Sequence, residues 1–414
     1  MRRRGVIAAV ALVGVVVLGL GAALLALRHR RVATVRGSTT VEYVPSAAPA
    51  APARSRTPSA SGLAWPTYGY DAERVRFDPA VHLRPPFRRV WTFHGRALLE
   101  FPPVVAYGRV YLANVDGVMF GLDARTGRVE WRYRSGMCGW ASPAVADHLV
   151  FVTFIGSAEC GSHAAGGEVV AFDATTGRMR WRRRLGPTES SPLVARGLVL
   201  VGDWDGRVWA LEARTVRVRW TSELAGAIKG SLATGGGRLY IGTYGGEVAC
   251  LDARSGRTLW TSGGHGPFYS SPAVAYGRVY IGSLNGGVYA FGAATGHLLW
   301  EEPTSGYVYA SPAVWNGRIL VGSYDHAFYA FDAGTGDVRW RFAADGPISG
   351  AATVIDGLVY FSTFARHTYA LDAASGSLVA TWPDGEYSPV VADADRLYLV
   401  GLGRMYALAE RTPR

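Results

Sequence analysis

An all-β fold, an eight-bladed β-propeller, is what this chain predicts, and three observations predict it. First, a Gly-x-x-x-Trp motif returns with its tryptophans at Trp131, Trp181, Trp220, Trp260, Trp300 and Trp340, spaced 50, 39, 40, 40 and 40 residues apart. A fixed period of this length marks a repeat architecture whose units bury their apolar faces on one another. Second, the unit Ser270–Pro303 divides into four short runs rich in Val, Tyr, Ile and Leu, parted by Gly, Asn or Thr-Gly. No run keeps a 3.6-residue apolar spacing, so these are strands, and four antiparallel strands per repeat make a blade. Third, strand openings fall at Pro103, Pro143, Pro192, Leu232, Pro272, Pro312, Ala352 and Pro389, which is eight.

The eighth unit, Tyr387–Glu410, has only three strands. Its fourth is expected from the front of the domain, because Trp91 stands twelve residues before Pro103 just as Trp131 stands twelve before Pro143. Such closure removes the open sheet edge. The propeller is thus expected over residues 66–410. The Asp-Ala-x-Thr-Gly segment reads as a turn in which the Asp accepts backbone N–H bonds and the Gly supplies positive φ. Val216 replaces that Gly and Gly292 replaces that Asp, so those two turns are expected to be weaker or altered. The repeated tryptophans read as wedges between neighbouring sheets, not as a cofactor stack.

Ahead of the propeller, Gly5–Leu27 is a run of 23 uncharged apolar positions, long enough to span a bilayer. Arginines flank it on both sides, RHRR stands where a cleavage site would fall, and no Cys ends it, which argues against cleavage and lipoprotein processing. It reads as an uncleaved transmembrane signal anchor, with residues 1–4 as a cytoplasmic tail and the propeller on the extracytoplasmic side. Residues 32–64, rich in Ala, Pro and Ser, read as a flexible linker. The formal charge of +11 resides mostly before the propeller, since residues 1–36 hold seven Arg and no acid. Nucleic acid is therefore not an expected partner. Cys250 lies mid-strand and reads as a buried free thiol. Cys138 and Cys160 fall in two loops on the same face of blade two, the second about ten residues longer than its counterparts, so a disulfide is geometrically open to them and would suit an oxidising compartment.

A binding surface is expected at the mouth of the central channel. The residues three positions before each opening are Glu100, Trp140, Glu189, Lys229, Tyr269, Tyr309, Ser349 and Glu386. Equivalent positions of a repeat tend to be alike, and a ligand without eightfold symmetry needs them unlike. Loops on the same face add Asp203, Trp204, Asp205, Tyr244, Asp325, His326, Arg366 and His367. His326 and His367 lack a third ligand for zinc. No carboxylate pair stands out as an acid–base couple, so no catalytic residue and no metal site are expected.

These repeats, SPAVAYGRVYIGS followed by VYAFGAATGHLLW, together with the segment WPTYGYDAERVRFDP at Trp65–Pro79, resemble the PQQ-like (pyrroloquinoline quinone) repeats of quinoprotein alcohol dehydrogenases and of the outer-membrane assembly lipoprotein of the Bam complex. The resemblance covers nearly all of the chain after the linker and implies eight blades, in agreement with the count above. It does not carry an activity across. The adjacent-cysteine pair of the dehydrogenases is missing, their calcium-binding constellation finds no match, and the lipidated Cys of the assembly protein is replaced by the apolar run. The expected function is a non-enzymatic, membrane-anchored binding or scaffold module for a protein, a peptide or an envelope polymer, acting as a monomer without a cofactor. The alternatives are a dehydrogenase of reduced design using PQQ with calcium, and the sensor domain of a signalling system whose output lies on another chain.

Overall fold

The computed structural model describes residues 62–156, 165–388 and 390–411. Eight sheets carry all the regular structure, and no helix among the described residues is long and apolar enough to cross a membrane. The apolar run Gly5–Leu27, the tail before it and nearly all of the linker lie outside the described residues, as does Cys160.

Each blade is a four-stranded antiparallel meander, as the period predicts. Blade one runs through Val104–Ala106, Arg109–Ala113, Val118–Asp123 and Val129–Arg134, from the axis outward. The three inner strands are buried on both faces and therefore read as near-continuous apolar runs. The outer strand alternates, since one face meets water. The eighth blade closes as expected: Phe87–His94 pairs antiparallel with Arg404–Glu410, with Trp91 opposite Ala407. Strands from the two ends of the propeller are thereby stitched into one sheet, and the ring of described strands has no open seam.

The tryptophans do what the period implied, and more specifically. Trp91, Trp131, Trp181, Trp260, Trp300 and Trp340 lie against the turn of the next blade and donate from the indole N–H to the Ala carbonyl of that turn, whereas the Trp220 indole N–H has no hydrogen-bond partner among the described residues. Trp131 reaches Ala174 O at 3.1 Å, Trp260 reaches Ala293 O at 3.1 Å and Trp300 reaches Ala333 O at 3.2 Å. Tyr111, Tyr240 and Tyr280 donate to those same three carbonyls at 3.0–3.1 Å. The turn Gly packs on the ring. A Cβ on Gly177 would stand 2.5 Å from Trp131, and one on Gly296 would stand 2.6 Å from Trp260. Glycine is thus required twice, for positive φ and for room.

The two departing turns keep their shape. Val216 adopts φ 61° and its N–H still reaches Glu212 O at 2.9 Å. Gly296 N–H reaches Gly292 O at 2.8 Å, although the Asp acceptor is missing there. The expectation of altered turns is met only in side-chain bonding and in the strain at Val216, because the outer strands and the tryptophan clasp hold the backbone in place. Cys250 is a free, buried thiol pushed up to about 11 by burial.

The least repetitive stretch has a structural task. Leu63–Trp65 adds antiparallel to the inner strand of blade one, and Phe77–Asp78 adds parallel to that of blade seven. Between them the chain follows the inner wall of the ring. Its carbonyls accept from the inner strands in turn: Pro66 O from Val145 N, Ala72 O from Thr234 N, Glu73 O from Val274 N and Val75 O from Val314 N, at 2.7–2.9 Å. Residues 62–78 therefore line and plug one end of the channel, and Gly62 meets the hairpin tip at Tyr107.

Candidate functional site

The opposite end of the channel is open. Its wall is built from the segments that lead into the inner strands and from the hairpins between second and third strands. Backbone bonds lock the two together: Trp204 N to Pro187 O, Tyr244 N to Ala227 O, Tyr324 N to Tyr307 O and Phe364 N to Pro347 O, at 2.7–3.0 Å. Below the rim, serines just before the inner strands tie blade to blade. Ser142, Ser191, Ser231 and Ser271 each donate a backbone N–H to the hydroxyl of the next, ending at Ser311, at 2.9–3.0 Å. Ala351 interrupts the series, and Ser311 meets the Tyr68 hydroxyl at 3.3 Å instead.

A cavity of about 100 Å³ opens on the axis, with Glu100, Glu189, Lys229, Tyr269, Tyr309 and Ser349 in its wall and Tyr68 and the serine hydroxyls deeper in. Six of the eight residues singled out by register thus converge. Glu386 stands at the rim beside Tyr387, with Arg366 Nε 3.8 Å from its Oε2. Trp140 is half-buried and takes no part in the cavity.

The electrostatics are those of carboxylates outnumbering cations. Glu189 is almost wholly buried, accepts from the Tyr269 hydroxyl and lies 3.3 Å from Lys229 Nζ. Burial raises its carboxyl, while Tyr269 and Lys229 work against that rise. The Lys229 ammonium sits 3.9 Å from the Trp204 ring centroid, with Tyr244 and Tyr269 at 5.4 and 5.5 Å. It is caged by three aromatic rings and a carboxylate. Glu100 makes no side-chain hydrogen bond or ion pair with the described residues. Burial first, then the charges of Glu189 and Glu386, push it up to about 7.

Sequence reading missed much of the aromatic surface. Tyr269 packs on Tyr309 at 5.3 Å, Tyr309 on Tyr324 at 4.9 Å, Tyr324 on Phe364 at 5.5 Å and Phe364 on Tyr387 at 5.2 Å. With Trp204 and Tyr244 these rings form an arc from blade three to blade eight, and Tyr307 and Tyr244 are about half exposed. The signal was a second register, the hairpin position occupied by Trp204, Tyr244, Leu284, Tyr324 and Phe364 in successive blades. His367 pairs with Asp345, not with His326. Among the described residues no group of three or more His, Cys, Asp or Glu side chains is disposed to hold a metal ion.

A family model described as "Outer membrane protein assembly factor BamB" matches residues 88–158, 138–229, 217–309 and 285–408, together most of the chain. The outer membrane protein assembly factor BamB of Burkholderia pseudomallei (strain K96243) is 31% identical over 157 residues, 36% of this chain; the match spans only 38% of that relative's length. Among solved structures, BamB from Moraxella catarrhalis superposes with a TM-score of 0.66 at 16% identity, covering 78% of this chain and 99% of that one. A europium-containing methanol dehydrogenase superposes with a TM-score of 0.72 at 13% identity, covering 84% and 98%. At these identities the two superpositions speak for the fold alone.

Proposed function

The chain belongs to the family of the outer membrane protein assembly factor BamB, and from that premise we propose that it is a non-enzymatic binding or scaffold module whose open channel mouth receives a protein or peptide of the cell envelope. The observation that carries this reading is the aromatic arc Tyr269–Tyr309–Tyr324–Phe364–Tyr387 beside the caged Lys229. Half-buried rings held on rigid hairpins give a ligand apolar area at little entropic cost, and aromatic surfaces of this kind dominate binding energy at interfaces. The apolar run Gly5–Leu27 supports membrane anchorage with the propeller on the extracytoplasmic side. Gly62, where the described propeller begins, lies at the plugged end, accepting from Tyr107 N at 2.6 Å. Pairing of Cys138 with Cys160 belongs to the same reading, since it suits an oxidising compartment.

The dehydrogenase alternative asks the mouth to hold PQQ, a quinone bearing carboxylates, together with a divalent cation. The residues present do not fit that group. Glu100, Glu189 and Glu386 oppose an anionic ligand, and Lys229 is already engaged by Glu189 and Trp204.

The test is a peptide array probed with the full chain and with the double variant Tyr324→Ala, Phe364→Ala. The expected result is a set of peptides bound by the natural chain and bound at least about tenfold more weakly by the variant, as loss of two interface rings implies. Equal binding by both proteins removes the mouth from the reading. A tight complex with PQQ and calcium, in the absence of any peptide binding, replaces it with the dehydrogenase.

A further inference from the structure

The plug at the closed end carries two arginines two residues apart, and both are inside the protein: Arg74 is 0% and Arg76 is 1% exposed. Arg74 spends its nitrogens on the carbonyls of Leu232, Tyr68 and Ser191. Arg76 finds one acceptor, donating from Nη1 to Arg74 O at 2.8 Å. Its Nε and Nη2 are buried and have no hydrogen-bond partner among the described residues. The geometric hydrogen bonds of these two groups all go to neutral carbonyls, Arg76 also acts on the Tyr68 hydroxyl, and neither arginine enters an ion pair among the described residues.

The charges at this spot are felt by everything near them. Burial, and then the neighbouring Arg76 charge, draw Arg74 down to about 9. Burial raises the Tyr68 phenol, yet the Arg76 and Arg74 charges and hydrogen bonding bring it below its ordinary value. The Tyr68 ring centroid lies 4.6 Å from the Arg76 guanidinium and 5.4 Å from that of Arg74. Glu73 adjoins Arg74 and Asp78 follows Arg76 by two residues, but among the described residues neither forms an ion pair with them; Asp78 Oδ1 accepts from Ala80 N at 2.8 Å, and Asp71 Oδ1 accepts from Val75 N at 3.0 Å while burial pushes the Asp71 carboxyl up to about 6.

A buried guanidinium with two unspent donors is costly for two separate reasons: the donors lack acceptors, and the charge lacks a counter-charge. Water answers the first need only. A small anion answers both, and the Nε–Nη2 edge is the side of the guanidinium that presents two parallel N–H groups to one acceptor. We propose that the propeller axis holds a small monovalent inorganic anion of the chloride class, bound by Nε and Nη2 of Arg76 beside the Tyr68 ring, as a structural ion that fixes the plug. Size is set by burial, for Arg76 is covered from solvent and a polyatomic ligand would have to displace the segment that carries it. This inference is independent of what binds at the mouth.

The experiment uses the full chain at constant ionic strength, with chloride replaced by gluconate, an anion too large for the site. Thermal unfolding should rise by about 3–4 °C as chloride reaches a hundredfold excess over its dissociation constant, the shift mass action gives for a domain of this size. Bromide should substitute, and Arg76→Met should abolish the response. Should Arg76→Met fail to fold, crystals of the natural chain grown in bromide decide alone: an anomalous peak within hydrogen-bond reach of both Arg76 nitrogens is the expected result. Ordered water or empty density at that place overturns the proposal, as does an equal chloride response in the natural chain and Arg76→Met.

Discussion

Glu100→Gln is the sharpest perturbation of the mouth. Glu100 is a carboxyl without a hydrogen-bond or ion-pair partner among the described residues, raised from 4.5 to about 7 by burial and then by Glu189 and Glu386. The sign follows from linkage. The folded protein holds the Glu100 proton more tightly than the unfolded chain does, so below pH 4.5 the group takes nothing from stability. As pH rises through 4.5 towards 7 the unfolded chain ionises freely while the folded one resists, and stability is lost until the folded group has ionised too. The full span corresponds to an upper figure of about 3 kcal/mol at 1.36 kcal/mol per unit. Solvent at the open mouth reduces it. For a propeller of about 350 residues, 3 kcal/mol is roughly 4 °C in Tm. Glutamine keeps the shape and removes the titration. The assay is thermal unfolding of the natural chain and Glu100→Gln between pH 4 and 9, at one scan rate and constant salt. Equal melting is expected near pH 4, with the variant rising above the natural chain by up to about 4 °C at pH 8. Parallel curves over the whole range would show that Glu100 is solvated like a free glutamate, and the electrostatic picture of the mouth would fall with them.

Three further outcomes test the scaffold. Trp300→Ala removes a wedge that is 7% exposed together with its bond to Ala333 O, and should cost about 3–5 kcal/mol, read from the urea midpoint. Val216→Gly should raise Tm by about 1–2 °C, because a β-branched residue held at φ 61° gives up roughly 1 kcal/mol of strain; a fall in Tm would mean that Val216 contributes more by packing than it costs in conformation. Maleimide at pH 8 should leave Cys250 unlabelled in the native protein, since its thiol is fully buried and pushed up to about 11, and label it in urea. In the same urea sample, Cys138 and Cys160 should label only after reduction.

The eight blades were legible because a repeat states its own geometry many times over. One tryptophan in each of seven blades, at one register, is a packing instruction that no local exception can hide, and even the closing strand announced itself through Trp91 and its distance to Pro103. What the period carries stops where contacts depend on residues unrelated by it. The plug is bound through backbone carbonyls, which every sequence has, so nothing in residues 62–78 marked it as the inner lining of the channel. Nothing in the repeat period singles out Arg74 and Arg76, and only the ring closing around them makes them buried charges. The mouth falls between these cases. Divergence at one register picked out Glu100, Glu189, Lys229, Tyr269 and Tyr309, because a cavity on the axis is lined by that register from six of the eight blades. Trp140, at the same register, does not line that cavity; blade two leads into its inner strand with Cys138 bridged to Ile155. That divergence missed Tyr324 and Phe364, whose own register varies between aromatic and aliphatic residues and so resembles ordinary core variation. A register whose chemistry changes sign from blade to blade points to a site more reliably than one that changes only in size, because burial alone tolerates the second kind of change and not the first.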